Sequence, residues 1–288
     1  MTLILGQLLE SVFREIHADI VDGVATGGSA TTIVDTGLTS RPFTENRFKD
    51  WIAFISRSTD GASPQSKYGI ATAYVKSTGT ITIPTVTDSV QSGDEYALCK
   101  PDIPLYTLIK LCNDGLNDLF YAAVDTSLTT ISSTLRYTLP VASKVLKPYN
   151  IYLRDPENFI TYEIPNWTVE TAAPGSAEKL VFASYPLSDM TIVIDYKSLH
   201  PQLTAYNSSV SEKIHPRLAL AACVERALHW KMTPKQRKLD VANWQDARRN
   251  LEEMKQMHPV ERPIRRQNMV PISTYNSSRT TPGDRTPR

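Results

Sequence analysis

The chain switches hydrophobic period repeatedly, and the order of those switches is its strongest constraint. Leu5, Leu8, Leu9, Val12, Phe13, Ile16 and Ile20 recur at i, i+3 and i+4, one apolar stripe of a helix that Asp22-Gly23 ends. From there to about Leu98 the runs are short, β-branched and aromatic: Thr31–Val34, Trp51–Ile55, Ile70–Val75 and Thr80–Ile83. Gly27-Gly28, Asp60-Gly61, Thr78-Gly79 and Ser92-Gly93-Asp94 supply the turns between them. Strands of this length and spacing predict a small antiparallel barrel or sandwich.

A helix resumes after Pro104, which suits a first turn because it lacks an amide that would go unpaired there. Its stripe is Leu105, Leu108, Ile109, Cys112, Leu116, Leu119, Phe120 and Ala123. The two-residue period then returns in Leu135–Leu139, Asn150–Leu153, Phe159–Tyr162, Lys179–Phe182 and Thr191–Tyr196. Two further helices, about Val210–Lys231 and Leu239–Met257, are split by Thr233-Pro234. A lone amphipathic helix is marginal in water, so the helices are expected to meet in space. The resulting expectation is an α+β fold: a helical bundle carrying two antiparallel β-rich insertions and an extended C-terminal tail. In residues, it assigns 1–20 and 101–126 to bundle helices, 21–100 and 127–208 to the β-rich sections, 209–257 to a helix pair and 258–288 to the tail. A β-sandwich with peripheral helices is the alternative.

Charge divides the chain in the same place. From Glu212 onward there are 16 Lys and Arg against 8 Asp and Glu, and before it 15 against 22, for a net +1. Two surfaces of opposite sign suit identical copies packed side by side. The three cysteines, Cys99, Cys112 and Cys223, lack CxxC spacing and support neither a disulfide framework nor a zinc site, which fits synthesis in a reducing compartment. The N-terminus is interrupted by Gln7, Glu10 and Arg14, so neither a signal peptide nor a membrane span is expected there. No other run approaches the roughly 18 to 20 apolar residues a bilayer requires.

The recurring catalytic constellations are missing from the sequence. There is no GxxxxGK[ST], no GxGxxG after a strand, no HExxH and no GxSxG. Glu225 and His229 sit i, i+4 on a helix, too few to hold a metal and better read as a surface charge pair. Glu15, His17 and Asp19 would point in different directions on a helix. Lys231, Lys235, Arg237, Lys238, Arg248 and Arg249 could meet phosphate, yet Asp246, Glu252 and Glu253 interleave with them. The expectation is a protein that is not an enzyme and has neither cofactor nor metal.

The tail carries Arg262, Arg265, Arg266, Arg279, Arg285 and Arg288, with prolines at 259, 263, 271, 282 and 287. It has too few apolar groups to offset its ordering entropy alone. Spaced through it are Ile264, Met269, Val270, Ile272 and Tyr275, apolar anchors that a solubilising tail would not need. Together these residues predict a segment that folds on binding, with anchors supplying affinity and arginines register.

The run Asp22–Leu38, followed by Trp51–Ile55, Gly69–Val75, Gly79–Ile83 and Gly93–Tyr96, resembles a β module of tailed-bacteriophage structural proteins. Leu135–Pro140 through Leu180–Phe182 and Ile192–Tyr196, to the helix at His215, is similar to head–tail adaptor (connector) proteins of the phage neck. The resemblance implies a virion protein that forms a homo-oligomeric ring, expected to be a dodecamer, beneath the portal. It implies that the C-terminal segment reaches the portal protein, that the other face meets tail or neck proteins, and that DNA passes the channel without sequence-specific binding. Membranes have no part in this expectation. Two functions compete with it: a decoration or glycan-binding role for residues 22–98, motivated by Trp51, Tyr68 and Tyr74, and a hydrolase whose site is assembled only in space.

Overall fold

The computed structural model describes residues 3–16, 18–61, 63–86, 88–140, 148–157, 161–164, 166–170, 178–232, 238–260 and 270–271. They fall into two compact units, the first built by the chain through Leu119 and again over His200–Val260, the second by Phe120–Leu199 and the C-terminal segment.

In the first unit, helix α1 (Leu5–Glu15) leads into β1 (Ile20–Val24), β2 (Gly27–Ser29), β3 (Thr32–Val34), β4 (Ile52–Arg57), β5 (Tyr68–Ile70), β6 (Ala73–Val75), β7 (Thr80–Thr82) and β8 (Glu95–Cys99). Two antiparallel sheets result, ordered β1-β8-β4-β5 and β2-β3-β7-β6. They share one apolar core, in which Ile33, Tyr74 and Ile81 of one sheet pack with Ala53, Ile55, Tyr96 and Leu98 of the other. Phe48, between β3 and β4, places its ring edge-on to Trp51 and Tyr74 at centroid distances of 5.3 and 4.8 Å.

β4 is buried on both faces, as its unbroken apolar run Ile52-Ala-Phe-Ile55 requires. Ala53 and Ile55 face the shared core. Phe54 turns the other way, toward Phe13 of α1, with ring centroids 6.0 Å apart. The rest of the unit is α2 (Leu105–Asn117), α3 (Pro216–Met232) and α4 (Lys238–Met257). α3 packs against both α2 and α4. The α2–α3 crossing is close because Gly115 has no side chain: a Cβ there would lie 2.8 Å from the Ala222 carbonyl oxygen.

The second unit contains β9 (Tyr121–Thr129), β10 (Arg136–Thr138), β11 (Pro148–Arg154), β12 (Thr161–Glu163), β13 (Trp167–Glu170), β14 (Lys179–Phe182), β15 (Thr191–Ser198) and β16 (Val270–Pro271). They form a three-stranded sheet, β10-β14-β13, and a five-stranded one, β16-β12-β11-β15-β9. Their common core includes Tyr137, Leu153, Tyr162, Leu180, Phe182, Ile192 and Ile194.

The expected helical bundle with two β insertions is overturned. Among the described residues the architecture is dominated by four sheets, antiparallel but for one pairing, with four α-helices beside them. An apolar stripe shows that a helix is covered, not what covers it, and part of the α1 stripe is covered by β4. The apolar stripes also run past the ends of the helices. Ile20 belongs to β1 and pairs with Cys99, and Ala123 belongs to β9 and pairs with Tyr196. Ladder hydrogen bonds to strands far along the chain decide these residues, beyond the reach of a local period.

Candidate functional site

Of the residues assigned to partner binding, Arg262, Ile264, Arg265, Arg266, Met269, Ile272, Tyr275, Arg279, Arg285 and Arg288 lie outside the described residues. Val270 lies within them. With Pro271 it forms β16, which runs parallel to β12 in the register Tyr162↔Val270 and Glu163↔Pro271. This is the one parallel pairing among the described strands; every other ladder is antiparallel.

The receiving strand is held from behind. β12 pairs with β11 through Tyr152↔Glu163, Leu153↔Tyr162 and Arg154↔Thr161, and the Tyr162 ring is buried in the unit's core. Its edge away from β11 presents the backbone donors and acceptors that β16 takes up, the chemistry by which sheets accept an added strand. Proline closes such an edge because it brings no N–H to a further neighbour. Phe159–Tyr162 was legible as a strand, but alternation cannot show that it lies near the edge of its sheet. The tail's proline at 271 reads in sequence only as a breaker, whereas in the structure it ends a sheet. At the opposite margin β9 pairs only with β15 among the described strands and exposes Val124.

Several of the other charged and reactive groups are engaged within the fold. The Trp244 indole N–H donates to Glu225 Oε1 at 2.8 Å, and the His229 ring stacks on Trp244 at 5.3 Å. The Glu225–His229 pair is therefore a mount for an aromatic side chain on the neighbouring helix. Lys231 Nζ donates to Asp102 Oδ2 at 3.1 Å, Arg248 lies over the Trp244 ring, and Arg249 is 3.8 Å from Asp246. Lys235 and Arg237 are outside the described residues, as is His17.

The cysteines are buried thiols without a disulfide. Burial pushes the Cys99 thiol up to about 12. Burial also raises Cys223, whose Sγ–H donates to the Cys112 carbonyl. Thiols held protonated are poor nucleophiles and poor metal ligands. Among the described residues no group of three or more His, Cys, Asp or Glu is arranged to hold a metal ion, and no helix is long and apolar enough to cross a membrane.

The aromatics that motivated a glycan site are largely interior. Trp51 and Tyr74 are buried in the first unit's core, and Tyr68 is half-buried against Phe54. What the described surface offers is thus an edge that takes on the C-terminal segment by backbone pairing. No protein-family model matches the chain, and no curated protein sequence matches it either.

Proposed function

We propose that the chain is a structural subunit of a tailed-bacteriophage neck, a head–tail adaptor whose copies form a ring between portal and tail and let DNA pass. The observation that supports this reading most is the pairing of Val270–Pro271 with β12. A basic, proline-broken segment that cannot fold alone gains its order by adding backbone to a sheet edge, as a docking tail does. The three buried cysteines, and Glu225 and His229 engaged with Trp244, accord with a chain that works by its surfaces. The split of charge along the sequence suits head-to-tail contact between copies, because ring closure joins two different faces of each subunit. Many tails docking together bind far more tightly than one.

The test is native mass spectrometry and negative-stain imaging of the purified protein, alone and with the portal protein from the same virion. The expected result is a closed ring that binds portal, and loss of portal binding when residues 258–288 are deleted. A monomer that ignores the portal, or a truncated chain that still yields filled, tailed particles, would overturn the reading.

A further inference from the structure

We infer that β16 is an exchanged strand: in the assembly, Val270–Pro271 of one copy pairs with β12 of a second copy of this chain. The inference rests on the reading of the chain as a ring subunit and specifies how neighbouring copies are joined.

Three features lead to it. First, the chain finishes the second unit's sandwich at Leu199, returns to build the first unit as far as Val260, and only then supplies one more strand to the second unit. A terminal strand reached through a separate body is a ready element for exchange. Identical backbone bonds form whether the sheet belongs to the same copy or the next, so exchange adds an interface without new chemistry. Nine residues, 261–269, separate Val260 from Val270, and fully extended they span about 30 Å.

Second, charge favours the contact. Residues 261–288 hold six Arg against two acidic residues, whereas 120–199 hold six Lys and Arg against eight acidic residues. A basic segment is therefore drawn to the acidic unit of any copy within reach, while its own arginines keep tails from pairing with one another.

Third, the pairing is short, parallel and self-limiting. β16 spans two residues and ends in Pro271, which offers no donor to a further strand. Each copy can therefore give one strand and receive one. That count joins copies head to tail in a series, which closes into a ring when the rotation between neighbours allows it. Two residues of ladder hold weakly alone, so the joint is secure only when every copy in a closed ring contributes.

The experiment is disulfide trapping in the full-length chain. Glu163→Cys and Pro271→Cys, which are register partners, are placed on separate, differently tagged copies and co-expressed; the native cysteines stay in place because they are buried. Mild oxidation is expected to give a linked heterodimer on a non-reducing gel, and the double variant a ladder of linked chains. Failure of the co-expressed copies to link, with only intrachain bonds in the double variant, would overturn exchange, as would the absence of both products. As a second measurement that needs no cysteine, a chain ending at Val260 is co-expressed with full-length copies. It can accept a strand but not donate one, so native masses should shift from the closed ring to shorter oligomers. Rings that take up truncated copies without any shift would also overturn exchange. If full-length protein still forms rings in those failures, the adaptor reading stands without exchange. A monomeric full-length chain would refute both.

Discussion

The Tyr96 hydroxyl donates to Asp35 Oδ2 at 2.6 Å, and this buried bond ties the β8 strand to the turn that follows β3. The other carboxylate oxygen accepts the Gly37 amide at 2.8 Å, so Asp35 caps the short 3-10 helix Thr36–Ser40 as well. One acidic side chain thus links the two sheets of the first unit.

Tyr96→Phe should therefore cost about 2 kcal/mol, the usual loss for a buried hydrogen bond to a charged acceptor. Burial, and then the bond to Asp35, raise the phenol's pKa well above its ordinary value. The folded state keeps the proton where the unfolded chain gives it up, so stability falls as pH rises above about 10, the value for a free tyrosine. Urea unfolding at pH 8 and pH 10.5 should show a steeper alkaline loss in the native chain than in Tyr96→Phe. Equal slopes would refute the assignment.

At low pH His200 contributes to the loss of stability. It is buried, its Nε2 accepts the Ser211 amide at 2.9 Å, and its Nδ1 lies 2.5 Å from the Pro201 carbonyl oxygen. Burial lowers its pKa. Protonation would turn the Nε2 acceptor into a donor facing another donor. The unfolded chain takes up this proton first, so stability is full above about pH 6.5 and is lost as pH falls below it. His215 acts in the same direction: desolvation, then the His258 ring stacked on it at 3.6 Å, then Arg217, lower its pKa. The urea midpoint should fall between pH 7.5 and 5, and His200→Gln should flatten that fall.

Gly115→Val should destabilise the first unit by about 2 kcal/mol, within the usual range for overpacking. The obstacle is backbone, the Ala222 carbonyl, which cannot swing aside as a side chain can. Thermal unfolding followed by circular dichroism checks it. An unchanged midpoint would mean that α2 and α3 do not cross this closely.

Trp244→Phe removes the indole N–H that Glu225 accepts and keeps a ring beside His229. Glu225 is 14% exposed, and its nearest cation, Arg226, is 4.0 Å away. The loss should be about 1.5 kcal/mol, the low end for a charged acceptor, because Glu225 keeps some contact with solvent. A double-mutant cycle with Glu225→Ala, which removes the acceptor, isolates the bond, and a coupling near zero would refute it.

Much of the strand content was legible because alternation is a local property. Ile52–Arg57, Thr80–Thr82, Lys179–Phe182 and Thr191–Ser198 each lie close to a run of two-residue period or unbroken apolar character. The helical segments were legible for the same reason, with errors at their ends, where Ile20 and Ala123 continue a stripe yet pair in ladders. The tail's composition marks it as a segment that needs a partner, but Val270, expected to anchor it on another protein, pairs with β12 of its own chain. Nothing local distinguishes β12 as the strand that receives it.

Sequence by itself determined which residues are apolar, how they repeat, where charge changes sign, and that the cysteines have no paired spacing. Only the tertiary structure decided that sheets, not a bundle of helices, dominate the architecture, and that Asp35, Glu225 and the strand at 161–163 have the partners they do. The physical reason is range. Side-chain period follows from bonds within a few residues, whereas the partner of a strand edge or a buried carboxylate is set by segments 19 to more than 100 residues away, as in Trp244 N–H to Glu225, Thr59 N–H to Asp94 and Tyr162 to Val270.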